Sequence, residues 1–197
     1  MENPKNIWII SAGIGTKEYL TVKAIKTAHK MDILVGFGRL NLFDHKNFIA
    51  LSGDYKSQLL KILEKKDKKI GVVVSGDAGF FSLANFIYKN FKDRIAEVVA
   101  GVSSFQVAFA KLKETYEDAA FFSFHHSKQT IDTNHKKIVI LCGKYSPSEV
   151  LETIGEKLKD FQISICYNLG YENETITDKP IDDKNGLYIV ILIRKNG

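Results

Sequence analysis

Long apolar runs are missing from this chain. No stretch approaches the roughly 18 uninterrupted apolar residues of a membrane-spanning helix, so no span is expected. The first residues, MENPKNIWIIS, have no extended apolar region ahead of a small-residue cleavage site. They read as a native amino terminus, which points to the cytoplasm. Cysteine is scarce: Cys142 and Cys166 each sit inside an apolar run, and no CxxC pair or histidine at a metal-ligand interval accompanies them. Two separate buried thiols are expected, with neither a disulfide nor a metal site. Several catalytic signatures are also lacking. Gly143-Lys144 is preceded by Ile138 where a phosphate-binding GxxxxGK loop needs glycine, and Gly101-Val102-Ser103-Ser104-Phe105 lacks the last glycine of a GxSxG elbow. The five histidines form no HExxH. An NTPase, a hydrolase of that type and a zinc enzyme are therefore not supported.

What is present describes a globular chain. Its 197 residues are 45% hydrophobic and 26% charged, enough for one large domain or two small ones. The net charge is +5, which favours anionic partners: nucleic acid is one class and a small polycarboxylate is another. The basic residues are scattered. The densest group, Lys65-Lys66-Asp67-Lys68-Lys69, follows a helical pattern, where cations offset the helix dipole.

Residues 70–107 organise the rest. An apolar run, Ile70–Val74, ends in Ser75-Gly76-Asp77-Ala78-Gly79. Helical spacing follows through Phe80, Ala84, Ile87, Tyr88 and Phe91. A second run, Ile95–Ala100, ends in Gly101-Val102-Ser103-Ser104, and another helix carries Phe105, Ala108, Phe109 and Leu112. This is strand, glycine loop and helix, twice over. In open α/β sheets such loops border the ligand site. Asp77 sits where its carboxylate can accept from a ligand amine, a hydroxyl or loop N–H groups, or it caps the next helix. Free N–H groups after Gly101 suit a carboxylate, with one serine of Ser103 and Ser104 as the helix cap.

The earlier residues read as a strand (Ile7–Ser11), the loop Ala12-Gly13-Ile14-Gly15-Thr16, a helix from about Leu20 to Lys30 capped by Thr21, a strand over Asp32–Gly36, another over Phe48–Leu51, and an amphipathic helix over Lys56–Lys66. Gly13-x-Gly15 invites a dinucleotide reading, but Glu18 stands where the third glycine belongs, and Asp32 comes too early for the ribose acid, which lies about 20 residues on. Beyond the core stretch, Ala119–His125 reads as a strand, with His126 after it exposed. The polar stretch Gln129–Lys137 reads as a linker between domains 1–128 and 129–197. A strand over Lys137–Leu141, a helix starting at Ser146-Pro147 and continuing through Leu158, and strands over Phe161–Tyr167, Glu174–Thr177 and Leu187–Ile193 follow.

SGDAGFFSLA resembles the Ser-Gly-Asp-Pro-Gly-Phe loop of the tetrapyrrole methylases, and AGVSSFQVAFAKL resembles their Pro-Gly-Ile-Ser-Ser segment, in the form seen in the precorrin C5-methyltransferases of cobalamin biosynthesis. Gly13-Ile14-Gly15 with Leu20-Thr21, Gly38-Arg39-Leu40, the Ser123-Phe124-His125 strand end and Asn168-Leu169-Gly170-Tyr171 with Glu174 match further segments of that family. The family's Pro-Gly between Gly15 and Leu20 is absent, as is the Gly-Arg after His125. The resemblance runs from Ile7 to Arg194.

It implies an α/β protein of two α/β domains with the cofactor cleft between them. It also implies transfer of the methyl of S-adenosylmethionine to C5 of a cobalamin-pathway tetrapyrrole, leaving S-adenosylhomocysteine. In that frame Gly76, Asp77 and Ala78 line the cofactor, Phe81 covers an apolar part of it, and Ser103 and Ser104 meet its amino-acid portion. Leu141 or Cys142, with Leu169, packs on the adenosine. Gly13, Gly15 and Arg39 face the macrocycle, and His125 is a substrate contact or base. A homodimer in the cytoplasm is expected, with the tetrapyrrole polycarboxylate as partner and neither membrane nor nucleic acid. A separate enzyme for C15 methylation and decarboxylation is a further partner the resemblance admits. Two alternatives remain open: a ribosomal-RNA ribose methyltransferase of the same superfamily, suggested by Asp77-Ala78-Gly79, and an inactive binding homologue, suggested by the shortened first loop.

Overall fold

The computed structural model describes residues 4–125, 127–181 and 186–195. The chain divides into two compact units, Met1–Ser103 and Ser104–Gly197.

The first unit holds a five-stranded sheet of β1 (Ile7–Ser11), β2 (Ile33–Phe37), β3 (Phe48–Leu51), β4 (Ile70–Val74) and β5 (Ile95–Val99), in the order β3-β2-β4-β1-β5. All its neighbours pair in parallel. Helices α1 (Val22–Ala28), α2 (Tyr55–Leu63) and α3 (Ala84–Phe91) cover it. The central strands are apolar at successive positions because both faces are buried, as parallel sheets require. Ile9, Val35, Val72 and Val74 join Leu59 and Leu63 of α2 and Ala84 and Ile87 of α3 in one cluster. Ile10, Leu34 and Val73 join Ala24 and Ala28 of α1 in the other. Each such large side chain contributes about 1.5–3 kcal/mol as an upper estimate. Gly71 is small because a Cβ there would lie 2.5 Å from Leu34 Cδ2 and 2.9 Å from Ile10 Cδ1.

This packing bears on the site. β1 and β4 are neighbours, but the helices that follow them lie on opposite faces, α1 with one cluster and α3 with the other. The chain therefore leaves these two strands toward opposite faces of the sheet, and in open α/β sheets this carboxyl edge is where ligands bind.

At the opposite, amino edge, Asn6 is the hub. Its side-chain amide donates to the carbonyls of Lys65, Lys66 and Lys68, just past α2, at 3.0, 3.3 and 2.7 Å. Its Oδ1 accepts from Arg94 Nε and Nη2 at 3.1 and 2.8 Å. Both residues are only 6% exposed. A pocket of about 700 Å³ also lies at this edge, lined by His29, His45, Lys30, Lys46 and Lys68 among others. The carboxyl ends of α1 and α2 point there, so these lysines offset helix dipoles.

The second unit holds a mixed sheet of β6 (Ala119–Ser123), β7 (Lys137–Leu141), β8 (Phe161–Tyr167), β9 (Thr175–Thr177) and β10 (Tyr188–Arg194), in the order β6-β7-β10-β8-β9. Only β6 and β7 pair in parallel. It also contains α4 (Ser104–Leu112) and α5 (Pro147–Glu152). Val150 and Leu151 of α5 pack with Ile138, Ile140, Phe161, Ile165, Val190 and Leu192.

Three expectations change. The boundary read at 128/129 does not separate the sheets, because β6 pairs along its whole length with β7, from Ala119↔Lys137 to Ser123↔Leu141. Residues 129–136 thus join two strands of one sheet. The helix from Ser146 starts as read, with a capping box between Ser146 and Glu149 and proline in its first turn. It stops at Glu152, and Gly155, at φ +60°, leads into a 3-10 segment, Gly155–Asp160. Strand β6 ends at Ser123, so His125 lies beyond it, and His126 lies outside the described residues. Among the described residues no helix is long and apolar enough to cross a membrane.

Candidate functional site

The carboxyl edge of the first sheet gathers most of the residues singled out from the first half of the chain. The loop after β1 closes on the loop after β4: Gly76 N–H donates to Gly13 O at 2.7 Å, and the two glycines form an isolated bridge. Both have positive φ, +60° and +69°. At Gly13 a Cβ would lie 2.5 Å from Tyr19 O, whereas at Gly76 it would meet nothing within 4 Å. Gly13 and Gly15 are buried and so shape the loop. Gly76 leaves an open face.

Asp77 is not the cap of α3. That helix begins at Ala84, after Leu83, and its first N–H is taken by Ser82 Oγ at 2.9 Å. Phe81 interrupts the helical pattern with φ +45°, rare for an aromatic residue. The residue is 46% exposed, and its ring meets Phe80 edge to face at 4.9 Å. The half-buried Asp77 carboxylate accepts from Gly79 N–H through Oδ1 and from Gly101 N–H through Oδ2, both at 2.8 Å. Ser11, wholly buried at the end of β1, accepts from Ala78 N–H at 2.9 Å. Gly101 has no room for a side chain, since a Cβ would lie 2.4 Å from Ser11 Cβ and 2.7 Å from Gly76 O.

The hydrogen-bond inventory decides what this loop can hold. Of the five N–H groups from Gly76 to Phe80, four already donate within the unit: those of Gly76, Ala78, Gly79 and Phe80. A phosphate cradle needs several free N–H groups converging on one point. This loop offers chiefly acceptors, its carbonyls and the Asp77 carboxylate. It suits a ligand that brings hydroxyl or amine donors or positive charge. Arg39, exposed in the 3-10 turn after β2, stands at the same edge and donates from Nη2 to Ser75 Oγ at 3.2 Å. Ser103, 2% exposed, precedes α4, and Ser104 is its first residue.

The second unit holds the remaining residues. His125 is exposed, and its Nδ1 lies 2.8 Å from Ser123 Oγ, which orients the ring. Gly143, at φ +63°, lets the chain pass close to His125, since a Cβ there would lie 2.8 Å from His125 Cα. Leu141 is half-buried at the end of β7, while Cys142 is wholly buried in the core of this unit. Burial pushes the Cys142 thiol up to about 12, against a smaller opposing main-chain hydrogen bond with Val190. Burial likewise pushes Cys166 to about 12, aided by the nearby Glu174 carboxylate. Both are free thiols, as their apolar surroundings suggest.

Leu169, 5% exposed, sits on a loop held at both ends. Asn168, at φ +47°, donates its N–H to Leu187 O at 2.7 Å and accepts from Leu187 N–H through Oδ1 at 2.9 Å. Glu174 accepts from Gly170 N–H at 2.6 Å and pairs with Lys111 at 2.7 Å. Burial alone raises the Glu174 carboxyl, but the Gly170 N–H and the Lys111 ammonium together bring it below its ordinary value.

Sequence reading passed over Ser11, Ser75 and Ser123 as site residues. Their common signal was a serine at or just past the end of a strand that leads into a loop.

The family model described as tetrapyrrole (corrin/porphyrin) methylases matches residues 6–185. The chain is 32% identical over 190 residues to a probable cobalt-precorrin-7 C(5)-methyltransferase of Methanocaldococcus jannaschii, covering 90% of each chain. It is 23% identical over 188 residues to the cobalt-precorrin-7 C(5)-methyltransferase of Salmonella typhimurium, covering 91% of this chain and 93% of that one. Its fold matches the crystal structure of a cobalamin-biosynthesis precorrin-6Y methylase from Archaeoglobus fulgidus with a TM-score of 0.77 and 21% identity, over 96% of this chain and 98% of that one. With a match along nearly its whole length, the chain belongs to the tetrapyrrole methylases.

Proposed function

We propose that this chain is an S-adenosylmethionine-dependent C-methyltransferase acting on C5 of a cobalamin-pathway tetrapyrrole of the cobalt-precorrin-7 or precorrin-6Y type. The observation that carries the reading is the acceptor-lined glycine loop at the carboxyl edge of the first sheet. S-adenosylmethionine brings an ammonium, a sulfonium, ribose hydroxyls and an amino group on its base, and no phosphate, so the residues present fit it. Two relatives named for the C5 reaction support the choice of acceptor.

When bound, the cofactor supplies an activated methyl group on a good leaving group. The chain's own work is to bind and orient. Gly76, Asp77 and Ala78 present the acceptor loop, and the exposed Phe81 offers its ring from a left-handed backbone. Ser103 and Ser104 take the amino-acid portion, and Leu141 and Leu169 the adenosine. Cys142, with its side chain in the core, takes part only through its place in the fold. The loop shaped by Gly13 and Gly15, with Arg39, faces the macrocycle, where a guanidinium suits a substrate carboxylate. In this reading His125, whose Nδ1 meets Ser123 Oγ, is the substrate contact or base. Orientation of this kind is worth about 7–11 kcal/mol of barrier, which accounts for a site without an acid–base pair. The proposal includes a homodimer working in the cytoplasm beside a separate enzyme for the C15 steps.

The test is methyl transfer from isotopically labelled S-adenosylmethionine to cobalt-precorrin-7 or precorrin-6Y, followed by mass spectrometry and NMR of the product. Label at C5 is expected. Label at another carbon, or binding without turnover, contradicts the assignment.

A further inference from the structure

Both oxygens of the Asp77 carboxylate are engaged by main-chain N–H groups, one in its own loop and one in the loop after β5. We propose that Asp77 acts on the cofactor as a positioning residue, lacing the Gly76–Phe80 loop to the Gly101 loop so that both stand in register around the ligand, rather than as a group whose main task is to hold the ligand's ammonium. This rests on the adenosyl-cofactor reading above.

Three observations combine. Asp77 is the side chain that bridges the loops leaving β4 and β5, two strands that are not neighbours, because β1 lies between them. β1 contributes to the same lacing through Ser11 Oγ, which holds Ala78 N–H from below. The Gly101 main chain is pressed against Ser11 and Gly76 O so closely that a Cβ is excluded, so the spacing is held by contact as well as by hydrogen bonds. A carboxylate is the side chain suited to this task. Each oxygen accepts from one N–H, and neither has a proton to donate. Asparagine has the same shape but turns an N–H donor toward one of the two glycine N–H groups, which breaks one bond and sets donor against donor. Charge-assisted bonds of this kind are about twice as strong as neutral ones.

Two probe ligands distinguish lacing from direct contact. S-adenosylhomocysteine carries the ammonium and carboxylate; methylthioadenosine keeps the adenosine and thioether without them. If Asp77 laces the loops, Asp77→Asn weakens both ligands by about tenfold or more, and by factors that agree within about twofold. Gly101→Ala, which forces the same loops apart sterically, reproduces the pattern. In ligand-free protein, amide hydrogen exchange followed by NMR reports the lacing directly. The Gly79 and Gly101 amides exchange faster in Asp77→Asn, while the Ile70 amide at the far edge, bonded to Asn6 O, keeps its wild-type rate. A loss confined to S-adenosylhomocysteine overturns the proposal in favour of direct contact with the ammonium. Unchanged exchange at Gly79 and Gly101 overturns it as well. If the wild type binds neither ligand, the adenosyl reading fails on its own, and the exchange rates still decide the lacing.

Discussion

At the amino edge of the first sheet, Asn6 ties the carbonyls beyond α2 to Arg94 ahead of β5; at the carboxyl edge, Asp77 ties the loop after β4 to the loop after β5. Both side chains join segments that no strand pairing joins. They differ in burial and in what surrounds them. Asn6 and Arg94 are 6% exposed, with the carboxyl ends of helices overhead and lysines outside. Asp77 is half-buried, beside glycines at positive φ and an open face at Gly76. One polar hub closes an end of the sheet and supports stability. The other ties two loops together at the edge where the cofactor is proposed to bind.

Substitutions separate the two roles, and the largest effect falls at the closed end. Asn6→Ala leaves Arg94 buried without its partner and several carbonyls unsatisfied, which should cost about 3 kcal/mol in urea unfolding. S-adenosylhomocysteine affinity of the remaining folded protein should stay at the wild-type value. An affinity loss there breaks the comparison. Asp77→Ala should show the reverse balance, with a stability loss of about 1.5–2 kcal/mol for two exposed-side hydrogen bonds and most of the cofactor affinity gone in calorimetry.

The second unit offers smaller tests. Ser146→Ala removes the capping box at the start of α5, and about 1 kcal/mol of stability should be lost. Glu174 gives the pH test. Its carboxyl is held below its ordinary value of 4.5, so its contribution is fully present above that value and is lost as pH falls through the lowered one. Wild type and Glu174→Gln should therefore differ in urea midpoint at neutral pH and converge in acid. A constant difference across that range contradicts the pairing with Gly170 and Lys111. The smallest effect belongs to Lys17→Ala: its partner Asp44 is a highly exposed side chain, and a loss below about 0.5 kcal/mol is expected.

Period and composition made much of the scaffold legible. β1, β3, β4, β7 and β8 have the bounds that their apolar runs imply, because apolar β-branched runs between polar segments have few other ways to be buried. Thr21 caps α1 as its position suggested, with Oγ1 accepting from Ala24 N–H at 3.1 Å. What stayed hidden depends on partners distant in sequence. Helical spacing from Phe80 onward could not show that Phe81 turns left-handed and delays α3 to Ala84. The polar stretch after Lys128 looked like a domain linker, although β6 already belongs to the second sheet through its pairing with β7. For Asp77, a helix cap, a ligand contact and a bond to loop N–H groups were the local options, and the last is the one seen. Its bond to Gly101, 24 residues away, follows from strand order, which no local pattern encodes.

The measurement that bears most directly on the account is a pair of calorimetric titrations of the purified chain, one with S-adenosylmethionine and one with NAD. The acceptor-lined loop predicts saturable binding of the phosphate-free sulfonium ligand and no heat from the dinucleotide. Binding of NAD, or silence from S-adenosylmethionine and its homocysteine product in folded protein, would contradict it.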